Sequence, residues 1–399
     1  MGLLAGNSET TSMKIYQCKK DQAGVWSPEP PPPSANTAQL ILVFGANSVL
    51  KETALLEELK HFRPDAHIFG CSTAGEIAGT RVFDDSVVAT VVDFEHTYIR
   101  GVRVSLDEVA DSFQAGESLA QALPASVTEF GRTENLVHVL VLSDGLNVNG
   151  SDLVRGLTRH LPGKITVTGG LAGDGARFGE TLVLWNSPPL KSTLAVIGLY
   201  GSRLKVNFGS LGGWDSFGPE RLITRSKGNV LYELDGQSAL GLYKKYLGEH
   251  AQNLPAAGLL FPLSLRTKAG ETAVVRTILA IDEAEQSMTF AGDLPEGAYA
   301  RLMKANFDRL IDGATGAAKT SYPAIDSNHP DLALLISCVG RKLVLKQRVE
   351  EEVEAVREVL GERTVLAGFY SYGEISPFTP GARCELHNQT MTITTFLEQ

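Results

Sequence analysis

A short apolar strand, a helix and a second strand ending in a glycine-bearing turn follow one another three times in this sequence. Strand, helix and strand in this order predict a βαβ unit, in which a crossover helix joins two parallel strands. The sequence therefore predicts an α/β (mixed α+β) fold in which βαβ-type repeats form two related sheet-containing domains. The predicted strand, helix and strand of each copy are residues 39–44, 50–61 and 66–69, then 136–142, 151–160 and 164–168, and finally 332–337, 347–360 and 364–367.

The turns after the second strands indicate how closely the copies are related. Residues 75–77 in the first turn and 373–375 in the third are both Gly-Glu-Ile, which favours a diverged internal repeat. The middle turn, residues 169–174, lacks this tripeptide. For that copy, the general similarity of βαβ units explains the pattern as well as repetition does.

Outside these copies the chain is predicted to divide into a leader and two larger segments. Residues 1–38 are predicted to be a mostly irregular leader, because the prolines at 30–33 lack the backbone donor that a sheet interior needs. A polar stretch at residues 221–228, ending in glycine, predicts a boundary near residue 225. The predicted domains are therefore residues 39–225 and 226–399.

The composition excludes several classes of protein. The 399 residues carry a formal net charge of −10, which opposes binding to a nucleic-acid backbone. No apolar run approaches the roughly 20 residues of a transmembrane helix, and the N-terminus lacks the basic and apolar regions of a signal peptide. We therefore expect a soluble, cytoplasmic protein without membrane insertion. The cysteines form no CxxC pair, which argues against a disulfide framework or a zinc site; they are Cys18, Cys71, Cys338 and Cys384.

Common enzyme signatures are absent: the sequence has no phosphate loop and no GxSxG, HExxH or GxGxxG motif. Glu76 and Glu374 each follow a glycine after a predicted buried strand, where a carboxylate either accepts hydrogen bonds or contacts a ligand. Two carboxylates also allow acid–base catalysis, with Cys71 or Arg341 as partners, but no pattern brings them together. Asp144 ends its strand and is predicted either to face a ligand crevice or to form an Asx-type turn.

The most specific motifs resemble those of the FIST family. Residues 368–377 and the later run His387-Asn388-Gln389-Thr390 resemble the FIST C domain, as does the Cys-x-Gly-Arg signature at residues 338–341. Residues 70–77 and 169–174 resemble the FIST N domain. The resemblance extends over residues 38–397.

This resemblance implies a non-catalytic sensory module that binds a small ligand, such as an amino acid, for signal transduction. Matching the family motifs residue by residue implies that a set of polar side chains lies near the ligand or at the interface of the two halves. These residues are Cys71, Thr73, Glu76, Asp174, Arg341, Tyr372, Glu374 and Asn388. Arg341 has a physical argument as well, because a guanidinium can bind a ligand carboxylate in two places at once. Pairing with Glu374 explains Arg341 equally well.

Some relatives of similar length resemble haem-binding nitric oxide sensors that act on a partner histidine kinase in a two-component system. The cofactor implied by that part of the resemblance is haem b, held without covalent attachment because no CxxCH motif is present. His250 is the first candidate for its axial ligand, since it follows a predicted helix outside the general family motifs; His387 and His96 rank after it. No output domain is recognisable, so the resemblance implies action in trans on a signalling partner, and a homo-oligomer is also open.

Overall fold

The computed structural model describes residues 13–30, 39–266, 274–322, 329–378 and 381–399. Over these ranges the chain forms four β-sheets with helices packed against them, which confirms the predicted mixed α/β class. None of the helices in these ranges is both long and apolar enough to cross a membrane. The α-helices are Asn47–Leu50, Leu55–Phe62, Ser112–Ala122, Gly150–His160, Ala239–Leu247, Phe307–Ser321, Val339–Leu345 and Val349–Leu360, and 3₁₀ helices cover Leu106–Glu108, Gly248–Asn253, Ala256–Leu260 and Lys346–Arg348.

Three of the sheets are each built on one parallel strand pair, and each pair belongs to one of the predicted copies, which we call units 1, 2 and 3. A helix joins the parallel strands in every unit, so the middle copy has the predicted βαβ form. The first helix, predicted as residues 50–61, is split into Asn47–Leu50 and Leu55–Phe62. The parallel pairs are Leu40–Gly45 with His67–Ser72, Arg132–Ser143 with Thr166–Leu171, and Leu332–Cys338 with Val365–Ser371.

Each unit also donates a strand that pairs antiparallel with the second parallel strand of another unit. Unit 1 donates to the sheet of unit 3, unit 2 to that of unit 1, and unit 3 to that of unit 2. Because this exchange closes on itself, no unit completes its own sheet, and the two halves of the chain are interlocked. The donated strands are Glu76–Ala78, Val183–Trp185 and Gly373–Pro377.

The spatial order of the strands in these sheets is as follows. The unit 1 sheet is Val183–Trp185, His67–Ser72, Leu40–Gly45, Val87–Asp93, Lys14–Lys20 and Trp26–Ser27. The unit 2 sheet is Cys384–His387, Gly373–Pro377, Thr166–Leu171, Arg132–Ser143, Thr193–Tyr200 and Tyr98–Ser105, with Ser126–Glu129 paired to the fourth of these. The unit 3 sheet is Leu204–Leu211, Met391–Glu398, Leu332–Cys338, Val365–Ser371, Glu76–Ala78 and Arg81–Phe83.

The fourth sheet is antiparallel and lies between units 2 and 3 in the sequence. The helix Ala239–Leu247 packs its buried Leu240 and Tyr243 into the core of this sheet. The boundary predicted near residue 225 falls inside the strand Arg221–Lys227 of this sheet. Its strands in spatial order are Val274–Arg276, Leu263–Arg266, Tyr299–Ala305, Arg221–Lys227, Val230–Leu234, Ser287–Phe290 and Ile278–Asp282, with Trp214–Ser216 paired to the third and Gln237–Ser238 to the fifth.

Part of the leader, which the sequence predicts to be mostly irregular, forms two short strands within residues 13–30. Lys14–Lys20 pairs antiparallel along its whole length with Val87–Asp93, and Trp26–Ser27 pairs with its end. The strand forms because Cys18 and Lys20 point inward, where Lys20 contacts Glu52 and Glu58. Residues 1–12 and 31–38, including prolines 31–33, lie outside the described ranges.

Candidate functional site

The glycine-bearing turns of the three units meet at one place, which we call the turn junction (residues 70–77, 169–174 and 368–377). Each turn donates one main-chain N–H to a carbonyl of another unit, so that the bonds form a closed ring. They are Ala74 N to Tyr370 O (2.8 Å), Gly173 N to Ser72 O (2.9 Å) and Tyr372 N to Leu171 O (3.2 Å). Counted from Gly70, Gly169 and Gly368, the donors occupy one equivalent position and the acceptors another. The ring therefore has approximate threefold symmetry.

Those glycines are required by close packing rather than by ligand binding. A Cβ added at Gly70, Gly169 or Gly368 would lie 1.9, 1.9 and 1.8 Å, respectively, from a carbonyl oxygen of the adjacent parallel strand. Gly169 and Gly368 also have positive φ values of 153° and 159°, which side-chain-bearing residues rarely adopt. The glycine-rich turn of unit 2 thus has a structural reason for its first glycine.

Glu76 and Glu374 occupy equivalent, fully buried positions in the junction. Thr73 Oγ1 donates to Glu76 Oε1 at 2.6 Å, and Ser371 Oγ donates to Glu374 Oε1 at the same distance. The second oxygens accept from Ser86 Oγ (2.7 Å) and from the amide and hydroxyl of Thr390 (3.1 and 3.0 Å). Burial raises the pKa of Glu76 to about 7 and that of Glu374 to about 8, although these hydrogen bonds oppose the shift.

Asp174, Tyr372 and Asn388 form a second part of the junction. The Tyr372 hydroxyl donates to Asp174 Oδ1, and Asn388 Nδ2 donates to Tyr372 O at 3.1 Å. Asp174 also accepts from three consecutive main-chain amides, those of residues 178–180, so its carboxylate is occupied. Asp144 likewise accepts from the amides of Leu146 and Asn147, which identifies it as an Asx-type turn residue.

Arg341 pairs with Glu352, not with Glu374 as the sequence had suggested. Its guanidinium donates to Glu352 Oε2 at 2.7 and 3.0 Å, and to the carbonyls of Gly212 and Leu310. Both side chains of this pair are 0% exposed. Glu352 belongs to the acidic helix Val349–Leu360, and its side chain points into the core rather than toward solvent.

All eight sequence-predicted binding residues are buried, including Cys71 and Thr73. Cys71 is 0% exposed, and burial raises the pKa of its thiol well above the usual value, so it is a neutral core residue. Thr73 is occupied by Glu76. The structure thus brings the predicted residues together at the junction except for Arg341, whose hydrogen-bond partners lie outside it. The described polar contacts of the predicted residues are with one another and with the rest of the chain. Their ligand-binding role stays a prediction.

Two surface cavities, of about 330 and 320 Å³, are lined by other residues. The larger lies between the helix Leu55–Phe62 and the loop after Val183–Trp185. The smaller, which we call the Arg276 cavity, lies where the helix Gly150–His160, the fourth sheet and the strand Cys384–His387 meet. Clefts between structural units are frequent ligand sites.

Sequence reasoning did not identify Arg276, which is 6% exposed. The sequence feature that could have indicated it is a charged residue at the junction of two apolar strands, Val274–Arg276 and Ile278–Asp282. Asn388, which the family motif did single out, supports this segment, since its side-chain oxygen accepts from Thr277 N at 3.2 Å. The motif therefore borders the cavity without lining it.

The histidines considered as haem ligands do not share an environment suited to a macrocycle. His250 is exposed on the 3₁₀ helix Gly248–Asn253, with its ring 5.6 Å from that of Phe261, and lines neither cavity. His387 is buried and bonded to Ser376 O, and His96 contacts Arg203. No cluster of metal-ligating side chains occurs in the described ranges. His250 thus lies beside neither cavity, and haem binding stays a prediction.

Comparison with known proteins agrees with the resemblance that the sequence motifs indicated. The FIST N domain family matches residues 39–237 and the FIST C domain family matches residues 239–377. This chain belongs to the FIST family, whose domains are signal-transduction sensor domains without catalytic activity. It is 23% identical over 344 residues to an uncharacterized protein of Methanocaldococcus jannaschii. The alignment covers 80% of this chain and 64% of that relative, so the chain spans less than two thirds of the relative's length.

Proposed function

We propose that this chain is a non-catalytic sensor that binds a small metabolite between its FIST N and FIST C segments and signals in trans. The observation that carries the proposal is the composition of the Arg276 cavity. Ser151 and Arg155 come from the FIST N segment, and Leu265 and Arg276 come from the FIST C segment. A ligand in this cavity would contact both segments, and its binding would favour one fit between them over another.

Because the units are interlocked, side-chain contacts connect a ligand in this cavity to the turn junction. Arg276 is followed by Thr277, which is held by Asn388; Asn388 in turn contacts Tyr372, whose hydroxyl reaches Asp174 in unit 2. These contacts supply a physical connection from the cavity to the turn junction. A signalling partner, such as a histidine kinase, would then respond to the altered junction or to the surface above it.

Haem-based sensing of nitric oxide is the alternative version of the proposal. It follows from the resemblance to haem-binding relatives, and the exposed position of His250 gives it less support than the cavity gives a colourless metabolite. Catalysis by Glu76 or Glu374 has less support again, because both carboxylates are buried and hydrogen-bonded. Self-association and cytoplasmic location belong to the proposal as expectations from the sequence.

Native mass spectrometry of the full chain, purified without denaturation, tests the proposal. We expect a bound small molecule of discrete mass, or a thermal shift with at least one compound of a broad metabolite panel. A visible-range absorption spectrum on protein expressed with a haem precursor separates the two versions, because bound haem gives a Soret band. If the protein carries no ligand, responds to no metabolite and stays colourless after haem reconstitution, sensing by this chain is wrong.

A further inference from the structure

The Arg276 cavity has an apolar wall and a polar end. Val274 and Leu386 contribute to the wall, with Leu265 and Pro295 beside them. The polar end contains Arg276, which is nine-tenths buried. At about 320 Å³ the cavity is at the lower end of the range of ligand pockets, which suits a molecule of only a few carbon atoms.

Arg276 is a buried cation whose hydrogen-bond partners are all neutral. Its Nε donates to Asp293 O at 3.2 Å, and its Nη1 donates to the carbonyls of Val275 and Leu386 at 3.2 and 3.0 Å. Burial lowers the pKa of Arg276 to about 10, so the group is still charged at neutral pH. Within the described part of the chain no carboxylate forms an ion pair with it. A charge removed from water is normally paired, because its isolated burial is costly.

The nearest carboxylate is already occupied by another arginine. Asp293 Oδ2 accepts from Arg155 Nη1 at 2.9 Å, and its Oδ1 accepts from Asn149 at 2.6 Å. Glu385 is exposed at the rim of the cavity. Asp293 and Glu385 therefore favour the Arg276 charge only from a distance and without an ion pair, while their own charge disfavours a ligand with two negative charges.

Ser151 offers a donor next to this guanidinium. Its Oγ accepts from Asp293 N at 3.1 Å and from Arg276 Nη2 at a long 3.4 Å. In the described residues the hydroxyl proton of Ser151 has no acceptor, and Nη2 has a second N–H that is not used. Ser151 also lies in the first turn of the helix Gly150–His160, whose dipole favours a negative charge.

From these contacts we infer that the Arg276 cavity binds a small aliphatic monocarboxylate, whose carboxylate accepts from Arg276 and Ser151 while its carbon chain packs against Val274 and Leu386. The inference rests on the proposed sensor function and names the ligand class of its site. A monocarboxylate carries one negative charge, which matches the one buried positive charge of Arg276. A phosphate with two negative charges does not. Free monocarboxylic acids and α-amino acids share this chemistry, and an α-ammonium group would lie toward Asp293 and Glu385.

Calorimetric titration of the full chain with matched ligand pairs tests the inference. The pairs are propionate with propionamide and 4-methylpentanoate with 4-methylpentanamide, which differ only in the charge of the end group. We expect each carboxylate to bind at least tenfold more tightly than its amide. L-leucine is compared with 4-methylpentanoate to distinguish amino acids from simple acids as the source of the carboxylate.

Variants then place the bound carboxylate. Arg276→Gln is expected to lower carboxylate affinity at least tenfold, and Ser151→Ala several-fold. Val274→Phe fills the cavity from a partly exposed position, so it is expected to abolish binding even if Arg276→Gln does not fold. Leu56→Phe, in the wall of the other cavity, is the matched control and should leave affinity unchanged.

The outcomes separate the inference from the proposed function. Binding of a metabolite that Val274→Phe and Ser151→Ala leave unchanged would overturn the site while the sensor function stands. Equal affinity for acid and amide would overturn the ligand class. If neither these probes nor a metabolite panel binds to wild-type protein, both the inference and the proposed function fail.

Discussion

Two buried arginines in this chain have opposite surroundings. Arg341, near the turn junction, is enclosed with Glu352 and has a carboxylate within 2.7 Å. Arg276, in the cavity, is almost as deeply buried but donates only to neutral oxygens. The family signature contains the first of these residues, and the second lies outside every motif that the sequence suggested.

The difference separates residues that hold the fold together from residues that are available to a ligand. The polar groups of the turn junction are satisfied by other parts of the chain, so a ligand would have to displace existing bonds. In the cavity, no described carboxylate forms an ion pair with Arg276, so a ligand can bind this charge without displacing one. A polar residue in a family motif is thus as consistent with a buried structural network as with a binding site.

The largest loss of stability is expected when the buried ion pair between Arg341 and Glu352 is broken. Arg341→Met leaves Glu352 as a buried carboxylate without its cation, which typically costs about 3–5 kcal/mol. The measurement is urea-induced unfolding followed by circular dichroism. The double variant Arg341→Met with Glu352→Gln buries no charge and should recover at least ~1 kcal/mol of the loss. A single variant within about 0.5 kcal/mol of wild type would show that the pair is not structural.

The junction carboxylates are expected to make stability depend on pH. Folding raises the pKa of Glu374 from the ordinary 4.5 to about 8, so the folded state binds a proton that the unfolded chain releases. The contribution of Glu374 to stability is therefore complete below about pH 4.5 and is lost as pH rises toward 8, on the order of 1 kcal/mol per pH unit. Glu374→Gln mimics the protonated form and should flatten this slope. The free energy of unfolding at a series of pH values measures it.

Glu76 provides the matched comparison for that pH profile. Its pKa is raised to about 7, so the contribution of Glu76 should be lost about one pH unit earlier than that of Glu374. Glu76→Gln should accordingly flatten the slope mainly below pH 7. A slope between pH 6.5 and 8 that Glu374→Gln leaves unchanged would contradict the raised pKa of Glu374, and a slope between pH 5 and 7 that Glu76→Gln leaves unchanged would contradict that of Glu76.

The sequence predicted the local parts of this fold and not the pairing between them. The strands, crossover helices and glycine turns follow from apolar periodicity and from the steric needs of Gly70, Gly169 and Gly368. The cyclic exchange of strands depends on contacts between residues far apart in the chain, such as those joining Glu76–Ala78 to Val365–Ser371. Nothing in the composition of these strands specifies the partner.

For the candidate site as well, the sequence indicated which residues lie close together but not which side chains pair. Family motifs correctly indicated that Asp174 and Tyr372 lie close together, although 198 residues separate them. They could not indicate that Arg341 faces Glu352 rather than Glu374, because all three side chains are buried in the same region. Arg276 could be recognised as a candidate binding residue only from the structure, which shows that no described carboxylate forms an ion pair with it.

Removal of the Arg276 charge should cost less stability than removal of Arg341. Arg276→Gln deprives the carbonyls of Asp293, Val275 and Leu386 of charged donors, but it also relieves the burial of an unpaired charge. We expect a net loss of about 1 kcal/mol in the ligand-free protein, measured by urea unfolding. A loss as large as that of Arg341→Met would mean that Arg276 is a structural residue like Arg341, and the contrast between the two sites would disappear.

The smallest effect is expected at the rim of the cavity. The Arg155 side chain is 60% exposed and contacts Asp152 and Asp293, so Arg155→Gln should change stability by less than about 0.5 kcal/mol. Without this cation the Asp293 carboxylate is less neutralised, and carboxylate affinity should fall a few-fold, more at low salt than at high salt. Calorimetry at two salt concentrations measures this. If Arg155→Gln weakens binding more than Arg276→Gln does, the anchor of the ligand is the exposed guanidinium and the buried one only supports the wall.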